Sequence, residues 1–101
     1  MNKHIKKDRN REMYEAILTL NTVEECMDFF DDLCTVTELH AMEQRFQVAV
    51  LLEQGLIYNE ILERTGASSA TISRVNRSLQ YGKEGYAVAF ARLKNKREEQ
   101  A

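Results

Sequence analysis

A chain of 101 residues has room for a single domain and for only a modest core. Its apolar content of 44% contains no run near the ~18 residues that a membrane helix requires, which describes a soluble globular protein. The net charge of −2 argues at first sight against a nucleic-acid partner, and the charged start MNKHIKKDRNR lacks the apolar stretch of a signal peptide.

The distribution of charge tells more than its sum. Residues 1–11 carry five basic side chains against one acidic, and residues 12–43 carry nine acidic side chains with no Lys or Arg. Residues 68–101 return to an excess of basic groups, and no acidic residue falls within 68–83, where Arg74, Arg77 and Lys83 lie. Basic ends and an acidic middle let one face meet a phosphate backbone while the rest stays clear of it.

In chain order, Met13, Ile17 and Leu20 recur at helical spacing from about residue 9. Thr22-Val23-Glu24-Glu25 reads as a capping box opening a second helix, with Val23, Met27, Phe30 and Leu33 inward and Asp28, Asp31 and Asp32 outward. Cys26 and Cys34 match no zinc or redox spacing, so they read as reduced, packed thiols of a cytoplasmic protein. Thr37 is expected to cap a third helix that turns Leu39, Met42, Phe46 and Val50 to one side and ends at Gly55. Tyr58 to Arg64 is about two turns of helix, with Ile61 and Leu62 apolar, and Thr65-Gly66-Ala67 breaks it. Ser68 or Ser69 caps the next helix, whose inward residues are Ile72, Val75 and Leu79. Gly82 closes it, and a last helix carries Tyr86, Phe90 and Leu93. Residues 1–8 and 96–101 are expected to be flexible ends. The expected fold is all-α, about six short helices in one domain over 1–101.

Residues 58–79 carry the functional signal. Two short helices joined by a turn containing glycine define a helix-turn-helix, with Gly66 free to take a positive φ. Ile61 would pack on Ile72 and Val75, leaving Ser68, Ser69, Ala70, Thr71, Ser73, Arg74 and Arg77 to DNA. Small residues let a helix enter the major groove closely, and hydroxyl and guanidinium groups reach bases and phosphates. The expected function is a sequence-specific DNA-binding transcriptional regulator, a repressor, with its recognition helix at about 69–79. The basic start, Lys3 to Arg11, can also graze phosphates or a minor groove.

The run TGASSATISRVNRSLQYG, from Thr65 to Gly82, closely resembles the Trp repressor superfamily and its YerC/YecD-like branch. The preceding Leu39–Gly55 segment looks like that branch's pre-motif helix. The resemblance covers roughly residues 10–95 and is most specific over 58–82. It implies a six-helix subunit in an intertwined homodimer on double-stranded DNA, with each reading head held by helices from both chains. It also raises tryptophan, or a similar small molecule, as an effector. In the tryptophan-binding repressor an arginine of the recognition helix stacks on the indole; Arg74 matches it, and Ser78 matches a serine. The glycine that follows that arginine is Val75 here. A second arginine corresponds to Arg45 if a gap is allowed and to Gln44 without one.

Other constellations point elsewhere. His4 and His40 are isolated from one another and from any cysteine, so no metal site is expected. The Asp28-Asp31-Asp32 group reads as a solvated face. No phosphate-cradling loop or nucleophile elbow is present, so neither an enzyme nor a cofactor is expected. The rivals are a tryptophan-type, amino-acid-responsive repressor and a helical protein-interaction module that uses the acidic 24–43 face without binding DNA.

Overall fold

The computed structural model describes residues 8–101; His4, Lys3, Lys6 and Lys7 lie outside them. Six α-helices and no strand occur among the described residues: α1 (Arg11–Ile17), α2 (Val23–Leu33), α3 (Val36–Glu53), α4 (Tyr58–Thr65), α5 (Ser69–Tyr81) and α6 (Gly85–Gln100). The chain divides into two compact units, Met1–Leu39 and His40–Ala101, with the division inside α3.

In the first unit, Asn10 caps α1 by accepting a hydrogen bond from the backbone of Met13. Thr22 caps α2 through the amide of Glu25, as the Thr-x-x-Glu spacing implies. The Glu25 carboxylate reaches one residue further back than a standard capping box, accepting from the Asn21 amide at 2.8 Å. No residue of α1 or α2 is fully buried. Met13 and Ile17 are half-buried, but Val23, Met27 and Leu33 of the expected inward stripe are exposed, Val23 to 70%. The amphipathic pattern is present, with Phe30 of the same stripe half-buried.

Thr35, rather than Thr37, caps α3. The Thr35 hydroxyl accepts from the Glu38 amide and the Glu38 carboxylate accepts from the Thr35 amide, a reciprocal capping box. The reason is spacing: only Thr35 has a glutamate three residues on, whereas Thr37 is followed at that distance by His40. These hydrogen bonds from Thr35, backbone first, lower the Glu38 carboxyl pKa.

The second unit holds the buried core: Val48, Ala49 and Leu51 of α3, Ile61 of α4, Ala67 of the turn, and Ile72 and Val75 of α5. Leu52, Leu56, Leu79, Tyr86 and Phe90 pack around them. The expected α3 stripe is therefore displaced, with Met42 and Phe46 exposed and Leu39 and Val50 half-buried. From Phe46 to Leu52 this helix is apolar on nearly every side, so periodicity cannot single out its inward face. Phe46 instead forms an aromatic cluster with α6, its ring centroid 5.5 Å from Phe90 and 6.3 Å from Tyr86.

Gly55 ends α3 in a Schellman arrangement, at φ +89, with its amide bonded to Leu52 O and that of Leu56 to Leu51 O. At the other end of the chain α6 runs on to Gln100, so that most of the end expected to be flexible, 96–101, is helical. The Lys, Arg and Glu residues there are good helix formers, with no glycine or proline to interrupt them.

The capping geometry carries a test. Thr35→Ala is expected to destabilise the protein by about 1 kcal/mol in denaturant titration, and Thr37→Ala by far less. Because folding lowers the Glu38 pKa from its ordinary 4.5, the carboxylate stabilises the fold above that pH. The stability gap between wild type and Glu38→Ala should accordingly shrink as the pH falls through the folded value. Equal effects at Thr35 and Thr37, or a gap independent of pH, would refute this assignment.

Candidate nucleic-acid interface

The pair α4 and α5 is built around a turn of a few residues. Gly66 adopts the left-handed conformation, φ +71, and its amide closes α4 on Leu62 O at 2.8 Å. Ala67 then turns inward to the core, 2% exposed. Ser68 caps α5, its hydroxyl oxygen accepting from the Thr71 amide at 3.1 Å, while its hydroxyl donates to Thr71 Oγ1. Of the two serines that the sequence offers as caps, Ser68 takes the role, and Ser69 becomes the first helical residue.

Packing sets which face of α5 is left outside. Ile72 and Val75 are buried with Ile61 of α4, and Leu79 is half-buried behind them. Spacings of three and four residues make this one stripe of the helix. Ser68, Ser69, Ala70, Ser73, Arg74, Arg77 and Ser78 are all exposed, and Thr71 and Asn76 are half-buried. The first turn of α5 carries no acidic residue, so its N-terminal dipole meets no competing charge from its own helix.

Hydrogen bonds tie the turn to both neighbouring helices. Thr65 Oγ1 donates to Ile61 O at 2.7 Å and accepts from the Ala67 amide at 3.1 Å. Gln44, on α3, donates through Nε2 to Thr65 O at 3.1 Å. Sequence reasoning did not assign Gln44 this role. A glutamine on a helix bonds to a turn 21 residues later, and no local pattern signals such a pairing.

The residues proposed from resemblance for a small ligand are less closely assembled. Ser78 lines an open depression of about 560 Å³ together with Phe46, Gly82, Lys83, Gly85, Tyr86 and Ala89. Arg45, half-buried on α3, and Arg74 are not among its lining residues. Val75 is 2% exposed and belongs to the core. Among the described residues no three His, Cys, Asp or Glu side chains converge as a metal site would require, and Cys26 and Cys34 are free thiols. No helix among them is long and apolar enough to cross a membrane.

Known proteins share this arrangement along most of the chain. The family model of the Trp repressor protein matches residues 9–94. The chain belongs to the Trp repressor family. Its place is on the YerC-like branch: it is 48% identical over 83 residues to YerC of Bacillus subtilis strain 168, described as uncharacterized, covering 82% of this chain and 80% of that protein. Two solved structures share the fold of this Trp repressor family member. A candidate Trp repressor from Staphylococcus aureus is 49% identical with a TM-score of 0.83, over 89% of this chain and 93% of that one. A TrpR-like protein from Eubacterium eligens ATCC 27750 is 47% identical with a TM-score of 0.85, over 92% of this chain and 96% of that one. The all-α expectation and the family resemblance are both borne out.

Proposed function

We propose that this Trp repressor family member is a cytoplasmic, homodimeric transcriptional repressor that reads double-stranded DNA with α5. The observation that carries the reading is the division of that helix. One stripe, Ile72 and Val75, is locked in the core, and the other presents exposed serines, an alanine and two arginines with no acidic residue in the first turn. A face of this kind can approach base edges closely and still neutralise phosphate. In the groove, Ser69, Ala70 and Ser73 meet bases, Ser68 and Thr71 order the helix start, and Arg74 and Arg77 meet phosphate.

A second copy completes the protein. The apolar residues Leu18, Val23, Met27, Leu33 and Val36 are exposed, Leu18 to 85%, a pattern that suits burial against a partner chain. The whole chain then works as one domain in each half of the dimer. Sedimentation equilibrium should give a dimer across the micromolar range. A stable folded monomer of 11.7 kDa would refute it.

The effector reading fares less well. Val75 fills core volume where the tryptophan-binding repressor has glycine, and the Gln44 carboxamide is already engaged with Thr65. We expect DNA binding without tryptophan, and calorimetry on the free protein should detect no binding of it. A dissociation constant in the tens of micromolar or tighter, about −6 kcal/mol, would restore Arg45, Arg74 and Ser78 as a ligand site.

The orientation of α5 predicts a division of labour between its side chains. Arg77 lies beyond the N-terminal half of the helix, the half that enters the groove in this motif. Arg77→Ala should weaken binding to all sequences about equally and lower the salt slope by about 1 for each phosphate that Arg77 neutralises. Ser73→Leu should instead change which sequences are preferred, at a cost of about 1–3 kcal/mol on the original site. Titrations on selected and scrambled duplexes at several salt concentrations separate the two effects. The opposite pattern, with Arg77 governing preference and Ser73 neutral, would overturn the orientation.

A further inference from the structure

We propose that Gln44 is a positioning residue of the reading head: by bonding to Thr65 it fixes the turn that aims α5. The inference rests on α5 being the DNA-reading helix. Thr65 is the last residue of α4, and its carbonyl belongs to the final turn, where no amide of the same helix can reach it. One turn earlier in the same helix, acceptors are met from within the motif, Ile61 O by Thr65 Oγ1 and Leu62 O by the Gly66 amide. Thr65 O is taken by Gln44 from a different helix, with both residues half-buried and so partly shielded from competing water.

Thr65 is also the junction of the turn. Its hydroxyl oxygen accepts from the Ala67 amide, and Ala67 directly precedes the Ser68 cap. A displacement of Thr65 is therefore passed on to the start of α5 within three residues. The apolar seam of Ile61, Ile72 and Val75 sets which face of α5 turns inward, but apolar attraction is non-directional and defines the path of the turn backbone less sharply than a hydrogen bond does. A hydrogen bond has a preferred distance and angle. Among the described residues, Gln44 is the side chain outside the motif that supplies such a constraint to the turn.

Base reading and phosphate binding differ in their tolerance of misplacement. Contacts to base edges require placement to a fraction of an ångström, whereas attraction to phosphate is long-ranged and forgiving. Loosening the turn should consequently cost discrimination and spare non-specific affinity, a split that a general loss of stability would not produce.

Gln44→Met keeps length, net charge and helix propensity while removing the donor. On the duplex that the wild-type chain selects best from random DNA, its discrimination over a scrambled duplex should fall about threefold to tenfold, the range expected for removing one hydrogen bond. Affinity for the scrambled duplex and the salt slope should stay at wild-type values. Thr65→Val should act in the same direction, and Thr65→Ser, which keeps the hydroxyl, should retain discrimination. Amide hydrogen exchange provides a readout independent of DNA: in Gln44→Met the hydrogen-bonded amides of Gly66 and Ala67 should exchange faster, with that of Ile72 unchanged. Unaltered discrimination and exchange, or a parallel fall in selected and scrambled affinity, would overturn the role of Gln44. Should the wild type itself select no sequence, the assignment of α5 fails, and turn exchange alone decides whether Gln44 holds the turn.

Discussion

The structure depends on the apolar seam where Ile61 of α4 meets Ile72 and Val75 of α5 over Val48 and Leu51 of α3. Each of the three seam residues is at most 2% exposed, so even a one-methylene change there would be felt in packing. Because two residues three apart on α5 are pinned, the rotation of that helix about its own axis is set. Everything it shows to the outside follows from that rotation. Had the stripe fallen one residue earlier on the helix, at 71, 74 and 78, Arg74 would point inward and the exposed face would lose its chemistry. Core packing and surface function are one constraint here.

Charge explains how a chain of net charge −2 suits a nucleic-acid partner. Acidic side chains are concentrated over residues 12–43, whereas residues 68–83 are free of them. Long-range attraction depends on the local field that a phosphate meets, and residues 68–83 bring Arg74, Arg77 and Lys83 with no carboxylate among them. Arg9, near the basic start, is engaged with Tyr14: its guanidinium lies 4.9 Å from the ring centroid and donates to the phenol oxygen. Its charge remains, but its side chain is partly committed to α1.

How far the sequence discloses the structure varies by the kind of signal. The helix-turn-helix was legible because turn glycine, cap serine and Ile/Val spacing are local signals within 22 residues, and each has a direct physical cause. The Thr22 cap was legible for the same reason. At Thr35 the signal existed but two threonines competed, and only the glutamate at Glu38 distinguishes them. The inward face of α3 was not legible, since a helix apolar on most sides carries no phase information. Gln44 could not be found from spacing at all: its partner is a backbone carbonyl, and any residue there would present the same group. The exposed stripe on α2 shows a further limit, because periodicity reports an amphipathic face without saying whether that face is buried.

The most direct test of the central claim is selection from a pool of random duplexes by the purified chain, followed by titration of the enriched and scrambled sequences at several salt concentrations. The account predicts enrichment of a short site of approximate two-fold symmetry. Its affinity should exceed that for scrambled DNA by about 10³-fold or more and fall steeply as salt rises. Failure to enrich any sequence, with no salt-sensitive retention of DNA, would contradict it.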